Sequence, residues 1–144
     1  MTPGFLSFFS PCPRGYDHMT TGRSYPRGQG LKNDKKPGVI AYAARKALEL
    51  GADVAKVKYP GSREAMEHVV EMAGKTKVIM SGGSKRNDRE FLENVKAVID
   101  AGGAGLAVGR NVFQRENPTR ILDALEQVIY EEASVDTALA AAER

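Results

Sequence analysis

The sequence predicts an α/β fold in which parallel strands alternate with amphipathic helices, and three observations carry this prediction. Apolar residues recur with a helical period in four segments, short β-branched runs separate these segments, and polar or glycine-rich residues follow the predicted strands. Such alternation is typical of βαβ units on a parallel sheet. In (β/α)8 barrels the strand ends carry the functional residues, so their placement favours a barrel over a small open doubly wound sheet.

The first helix is predicted from an apolar face with Pro37 near its start and Gly51 just past its end. This face consists of Ile40, Ala43, Ala44, Ala47 and Leu48. The segment from Asp53 to Tyr59 is short and rich enough in β-branched residues to be a strand. The second helix follows, with Ser62 as its N-cap and Gly74 as its stop; its stripe consists of Met66, Val69, Val70 and Ala73.

The second half of the pattern repeats the first. Lys77–Met80 and 104–108 are predicted strands, and the helix between them is predicted to begin near Asp88, with an apolar face of Phe91, Leu92, Val95, Val98 and Ile99. Asn117 followed by Pro118 is a strong helix-start signal. The last predicted helix buries Ile121, Leu122, Leu125, Val128 and Ile129. Parallel strands are usually covered on both faces, which would explain their apolar character.

The composition and the charge distribution argue against some classes of function. The chain has 144 residues and a net charge of +3, but its basic residues are spread out and mixed with acids, whereas nucleic-acid binders usually cluster them. We therefore expect no nucleic-acid partner. No apolar run is long enough to cross a bilayer, so we expect no membrane partner. One cysteine, Cys12, cannot form an internal disulfide, which favours the cytoplasm.

Lys56 lies within a predicted buried strand, where lysine is rarely found without a partner or a purpose. Burial disfavours the charged form of an amine, and a neutral amine can attack a ketone to form an iminium. The alternative is a lysine that extends to the barrel mouth or pairs with a carboxylate. Position alone favours that alternative. Lys58, about 6.6 Å away on the same strand face, suits it better than Lys56.

Two glycine turns follow predicted strands. Ser81-Gly82-Gly83 precedes a helix, and glycines there allow the backbone N–H groups to approach an anion. Gly109 and Arg110 repeat the arrangement one unit later, with a guanidinium suited to bidentate phosphate contact. A single Gly-Gly turn is most often only a tight connection, but two on consecutive units indicate a phosphate site.

The other candidate side chains are less informative. Tyr25 could exchange a proton with a substrate carbonyl or hydroxyl, although a Tyr-Pro pair is usually a turn. His18 and His68 have no companions at metal-ligand spacing, so we predict no metal and no cofactor. Cys12 has no setting that would make it a nucleophile.

In order along the chain, these motifs resemble the archaeal-type class I fructose-bisphosphate aldolases, a family that includes aldolases for other sugar phosphates. The matching stretches are Ser24-Tyr-Pro-Arg-Gly28, Val39-Ile-Ala-Tyr-Ala-Ala-Arg45, Leu48-Glu-Leu-Gly-Ala-Asp53, Lys56-Val-Lys-Tyr-Pro-Gly61, Met80-Ser-Gly-Gly83 and Val108-Gly-Arg-Asn-Val-Phe-Gln114. The last stretch is highly specific to the family. The resemblance covers the chain from about Ser24 to the last predicted helix.

The resemblance implies a fold, a reaction and site residues. The fold would be a partial (β/α)8 barrel of about the last four βα units, spanning residues 24–144. Lys56 would be the Schiff-base lysine and Tyr25 its proton donor or acceptor, and the substrate phosphate would bind Ser81, Gly82, Gly83, Gly109 and Arg110. The reaction would be the reversible cleavage of fructose 1,6-bisphosphate to dihydroxyacetone phosphate and glyceraldehyde 3-phosphate. A related sugar-phosphate aldolase or a non-catalytic phosphate-binding fragment are the alternatives.

Residues 1–23 depart from this pattern. They contain scattered prolines and glycines with no period, and Arg23 stands where the family commonly has tryptophan, so we expect an irregular segment that is not family sequence. A full barrel takes about 250 residues, and four units cannot close one. We expect the open sheet edges to promote association into a homo-oligomer.

Overall fold

The computed structural model describes residues 5–8, 19–26 and 33–142. Within these ranges one sheet has the order β1-β2-β3-β4-β5. The strands are β1 (Phe5–Phe8), β2 (Thr21–Pro26), β3 (Val54–Lys58), β4 (Lys77–Ser81) and β5 (Gly105–Ala107). Strands β2 to β5 are parallel, and β1 pairs antiparallel with β2. The parallel strands follow one another in chain order, as in a barrel, whereas a doubly wound sheet reverses its order at a switch point.

Six helices are described: α1 (Pro37–Glu49), α2 (Arg63–Ala73), α3 (Asp88–Asp100), α4 (Arg110–Phe113), α5 (Pro118–Tyr130) and α6 (Val135–Ala142). The predicted cap of α2 is confirmed, since Ser62 Oγ accepts from the Ala65 N–H at 3.2 Å. Asn117 caps α5 in the same way. Asp88 begins α3 as predicted, but its cap is Asn87. No described helix is both long and apolar enough to cross a bilayer.

Helices α4 and α6 were not predicted from the sequence. The four residues of α4 are too few to show a helical period. Half of the residues of helix α6 are alanine, and only Ala138 is shown to be buried against the core, so the helix has little contrast between an apolar and a polar face. Both helices therefore depend on tertiary packing more than on local pattern.

The sheet has one covered face and one open face. Strand alternation places Ala55, Val57, Val78 and Met80 on the covered face, where they join the helices in the buried core. Arg23, Tyr25, Lys56 and Lys58 alternate with the covered residues and are exposed or half-buried. The expectation that the strands are buried on both faces is therefore wrong for this chain. The inner face of a barrel is covered only when the sheet closes, and the four parallel strands described here form an arc.

The irregular structure expected for residues 1–23 is wrong at Phe5–Phe8, which forms β1, and at Thr21, Gly22 and Arg23, which belong to β2. Strand β2 needs no continuous apolar run because only its Gly22 side is covered. Its start is held by Asp53, whose carboxylate accepts from the Thr20 N–H at 2.7 Å. Strand β1 pairs with the edge of β2 that was expected to be open.

Three features considered above lie outside the described residues: Cys12, His18 and the pair Arg27-Gly28. On the opposite edge of the sheet, β5 pairs only with β4 among the strands that the structure describes. The arc therefore has one edge covered by β1 and one edge at β5.

Candidate active site

A cavity of about 450 Å³ lies at the carboxyl ends of β3 and β4. Lys58, Ser81, Gly82 and Gly83 contribute to its lining, as do two further basic residues, Lys35 and Arg86. The carboxyl ends of parallel strands meet at one edge of a sheet, so this is where the predicted strand-end residues should converge. The structure brings the first glycine turn and one strand lysine together here.

The two glycines of this turn are required for different reasons. Gly83 has a φ of +65°, a left-handed conformation that glycine adopts at little cost. A Cβ on Gly82 would lie 2.6 Å from Val108 Cγ1 and 3.3 Å from Asn111 Nδ2, so only glycine allows the strand ends to approach this closely. The N–H groups of Gly82 and Gly83 make no loop hydrogen bond with another described residue. They remain available to an anion.

The second glycine turn lies beside the first but outside the cavity lining. Gly109 is the N-cap of α4, and Arg110 is the exposed first residue of that helix. Neither contributes to the lining of the 450 Å³ cavity. The link between the two turns is Asn111, the next residue, which is fully buried.

Asn111 is a functional candidate that was not predicted from the sequence. Its Nδ2 group donates to the carbonyl oxygens of Gly82 at 2.7 Å and Ser84 at 3.0 Å. Its Oδ1 atom accepts from the Arg86 N–H at 2.9 Å. The only signal in the sequence was an asparagine directly after Gly109 and Arg110, within the stretch most specific to the family.

Lys58 forms an ion pair with Asp34, and its Nζ atom lies 5.9 Å from the centroid of the Tyr25 ring. The hydrogen bond from Lys58 lowers the pKa of the Asp34 carboxyl from its ordinary value. Lys58 thus pairs with a carboxylate near the strand end, which is the alternative that its position in the sequence favoured. Asp34 was not singled out from the sequence, since it precedes α1 and lies 24 residues from its partner.

We predict that Asp34→Asn destabilises the chain by up to about 1 kcal/mol at neutral pH, a small effect because both partners are partly exposed. A carboxyl whose folded pKa is depressed contributes stability above its unfolded value of about 3.9. That contribution is lost as the pH falls through the lower, folded value. Urea unfolding at neutral and acid pH measures it. Exposed Asp123→Asn serves as the control, and an equal Asp34→Asn effect at every pH would contradict the prediction.

Lys56 lies on the open face of β3, half-buried, two residues before Lys58. Its register neighbours are Arg23 on β2 and Ile79 on β4. Lys56 does not line the cavity, and its side chain makes no hydrogen bond or ion pair with the described part of the chain. The structure therefore places it on the same face as Lys58 and Tyr25, and one pleat farther from the glycine turn.

The remaining histidine in the described ranges is peripheral. His68 is exposed on α2, with Glu71 at 3.9 Å as its charged neighbour. Among the described residues, no three His, Cys, Asp or Glu side chains form a group that could hold a metal ion.

Comparison with known proteins places this geometry in a family. A model of the DeoC/LacD family of aldolases matches residues 20–115. The class 1 fructose-bisphosphate aldolase of Halobacterium salinarum is 70% identical over 126 residues, covering 88% of this chain and 48% of that protein. The class 1 enzyme of Thermoproteus tenax is 47% identical over 108 residues, covering 74% and 41%. The chain spans about half the length of these curated relatives.

Solved structures agree with the sequence comparison. A crystal structure of an archaeal fructose 1,6-bisphosphate aldolase matches with a TM-score of 0.74 at 46% identity, covering 76% of this chain and 44% of that one. A second structure of an archaeal fructose-1,6-bisphosphate aldolase, with its catalytic lysine bound to the carbinolamine intermediate of the substrate, matches with a TM-score of 0.72 at 45% identity, covering 74% and 43%. The predicted partial barrel is confirmed. Since the family model covers more than half of its residues, this chain belongs to the DeoC/LacD family of aldolases.

Proposed function

We propose that this chain carries the Schiff-base half of a class I fructose-bisphosphate aldolase. The observation that carries the proposal is the 70% identity to the Halobacterium salinarum enzyme. The strand lysine Lys56 and the glycine turn beside the cavity support it. We also propose a cytoplasmic location, because a chain with a single cysteine needs no oxidising compartment to form an internal disulfide.

In the proposed reaction, the neutral Lys56 amine attacks the C2 carbonyl of fructose 1,6-bisphosphate. Loss of water from the carbinolamine gives an iminium, which accepts the electron pair of the C3–C4 bond as that bond breaks. The C4 hydroxyl gives up its proton, and glyceraldehyde 3-phosphate leaves. Protonation of the resulting enamine and hydrolysis release dihydroxyacetone phosphate. The iminium is the electron sink, so the proposal includes no metal and no cofactor.

Tyr25 is the proposed proton donor or acceptor, because it shares the open face with Lys56. Its ring centroid lies 5.9 Å from Lys58 Nζ, so the tyrosine is at the strand end beside the cavity. The substrate phosphate is proposed to bind the first turn, Ser81, Gly82 and Gly83, together with Gly109 and Arg110. The free N–H groups of the first turn and the basic residues at the cavity support this assignment.

Two alternatives have their own support. A related sugar-phosphate aldolase would use the same lysine and the same phosphate turns, and the matching family model is for DeoC/LacD aldolases as a group. A non-catalytic phosphate-binding fragment is favoured by two facts: the chain spans half of its relatives, and Lys56 does not line the cavity. These alternatives differ from the main proposal in whether a covalent adduct forms and with which ketone.

Borohydride trapping tests the proposal on this chain. Incubation with dihydroxyacetone phosphate and sodium borohydride should reduce the iminium to a stable secondary amine, seen by mass spectrometry and mapped by peptide digestion to Lys56. Phosphate binding without an adduct would support the fragment instead. An adduct that forms faster with another phosphorylated ketone would support the related aldolase.

We also propose that the chain forms a homo-oligomer through the β5 edge. A groove of about 490 Å³ beside this edge is lined by apolar side chains, including Leu106, Leu122 and Tyr130. Tyr130 is 79% exposed, and an exposed apolar groove next to a strand edge that no other described strand covers favours association. Tyr130→Glu should weaken self-association by at least about tenfold, as measured by analytical ultracentrifugation. A wild-type chain that sediments as a monomer at all concentrations would contradict this.

A further inference from the structure

The loop from Gly82 to Arg86 is held at three backbone positions by one buried side chain. Asn111 uses both Nδ2 hydrogens and its Oδ1 atom on this loop, at the carbonyls of Gly82 and Ser84 and the N–H of Arg86. Asn111 is fully buried. A buried amide with all these groups paired fixes the atoms that it contacts, because each lost bond would leave a polar group unpaired.

Arg115 supports the same arrangement from the other side. Its Nε atom donates to the Asn111 carbonyl oxygen at 2.6 Å, and its Nη2 atom donates to the Arg86 carbonyl oxygen at 3.3 Å. The Arg115 side chain is 8% exposed and forms an ion pair with Asp88 through Nη1. Its guanidinium lies 5.8 Å from the centroid of the Phe91 ring. The loop and the first turn of α4 are therefore tied together by two side chains.

We propose that Asn111 and Arg115 are positioning residues that hold the Gly82–Arg86 loop in the conformation that receives the substrate phosphate. The inference rests on the proposed function, since that assigns the phosphate to this loop. Neither side chain lines the 450 Å³ cavity, so both act through the loop backbone. The ketone carbon reacts at Lys56, on a different strand, so the loop should affect phosphorylated ketones and leave simple ketones unaffected.

Only the asparagine amide satisfies this arrangement. Leucine has nearly the same shape but no polar atoms, so Asn111→Leu would leave two carbonyls and one N–H unpaired in a buried site. Aspartate would place a carboxylate against the carbonyls of Gly82 and Ser84. Lysine in place of Arg115 keeps the charge but cannot reach Asn111, Arg86 and Asp88 at once, since it lacks the planar fork of guanidinium.

The test uses the full chain with Asn111→Leu and Arg115→Lys, and Asn117→Ala as a matched control. Asn117 caps α5 and lies outside the loop, so its loss destabilises a helix without releasing the phosphate turn. Affinity for inorganic phosphate is measured by calorimetry. Rates of borohydride trapping are compared for dihydroxyacetone phosphate and for unphosphorylated dihydroxyacetone.

Both loop variants should weaken phosphate affinity, and slow trapping of dihydroxyacetone phosphate, by about tenfold or more. Trapping of dihydroxyacetone should stay within about twofold of wild type, and the control should match wild type in all three measurements. Equal losses for both ketones would show a structural role and overturn the inference, as would no loss of phosphate affinity. If the wild-type chain binds phosphate but traps neither ketone, only the proposed reaction is refuted. The phosphate affinities of the two loop variants, measured by calorimetry, then still test the role of Asn111 and Arg115. A wild-type chain that does not bind phosphate overturns the inference.

Discussion

Replacing Lys56 by methionine is expected to abolish the borohydride-trapped adduct with dihydroxyacetone phosphate, lowering its rate of formation by at least about a thousandfold. Methionine keeps most of the length of the side chain and removes the amine. The loss should be specific to the covalent step, because the phosphate turn at Ser81–Gly83 lies on another strand. Phosphate affinity should therefore remain within about twofold of wild type.

The fold should tolerate this substitution. Lys56 is half-buried and has no ion pair with the described residues, so its removal breaks no such contact. The free energy of unfolding should change by less than about 0.5 kcal/mol. Lys77→Met is the matched control, since Lys77 lies at the opposite end of the same sheet face, in register with Val54. It should trap at the wild-type rate.

Peptide mapping of the wild-type adduct decides between the two strand lysines. Lys58 lies in the cavity but is paired with Asp34, and a paired ammonium is a poor nucleophile. An adduct on Lys58, or undiminished trapping by Lys56→Met, would assign the reactive amine to Lys58, two residues nearer the end of β3. The resemblance-based role of Lys56 would then be wrong.

The local sequence pattern was sufficient to predict the helices that have a strong apolar period and a recognisable cap. Helix α5 illustrates this, because Asn117 and Pro118 mark its start and its apolar face repeats with a helical period. Strand β2 shows the limit. Thr21, Gly22 and Arg23 do not form an apolar run, because only one side of this strand is covered. A pattern rule that assumes two covered faces therefore misses it.

The part of the site that could be predicted consists of residues whose type and position directly after a strand indicate their chemistry. Ser81, Gly82 and Gly83 were found in this way, and they lie at the cavity. Asp34 and Asn111 were not found, because their roles depend on partners 24 to 29 residues away in the chain. Asparagine near a glycine turn is common, and no local feature distinguishes one that is fully buried, as Asn111 is.

Phe91→Ala is expected to destabilise the chain by about 3–5 kcal/mol, the range for removing a fully buried aromatic ring. Phe91 is 1% exposed on α3 and belongs to the main core. A domain of this size has only about 5–15 kcal/mol of stability, and an arc that leaves its inner face open should lie at the low end. Urea unfolding followed by circular dichroism measures the change.

Phe113→Ala is the matched control, because Phe113 is 66% exposed and should contribute less than about 0.5 kcal/mol. Phe91 also lines the cavity and lies under the Arg115 guanidinium, so its loss should weaken phosphate affinity even where the variant remains folded. Equal destabilisation by the two alanine substitutions would mean that α3 does not pack on the sheet as described. The site depends on that packing, because α3 begins two residues after the loop that Asn111 and Arg115 hold.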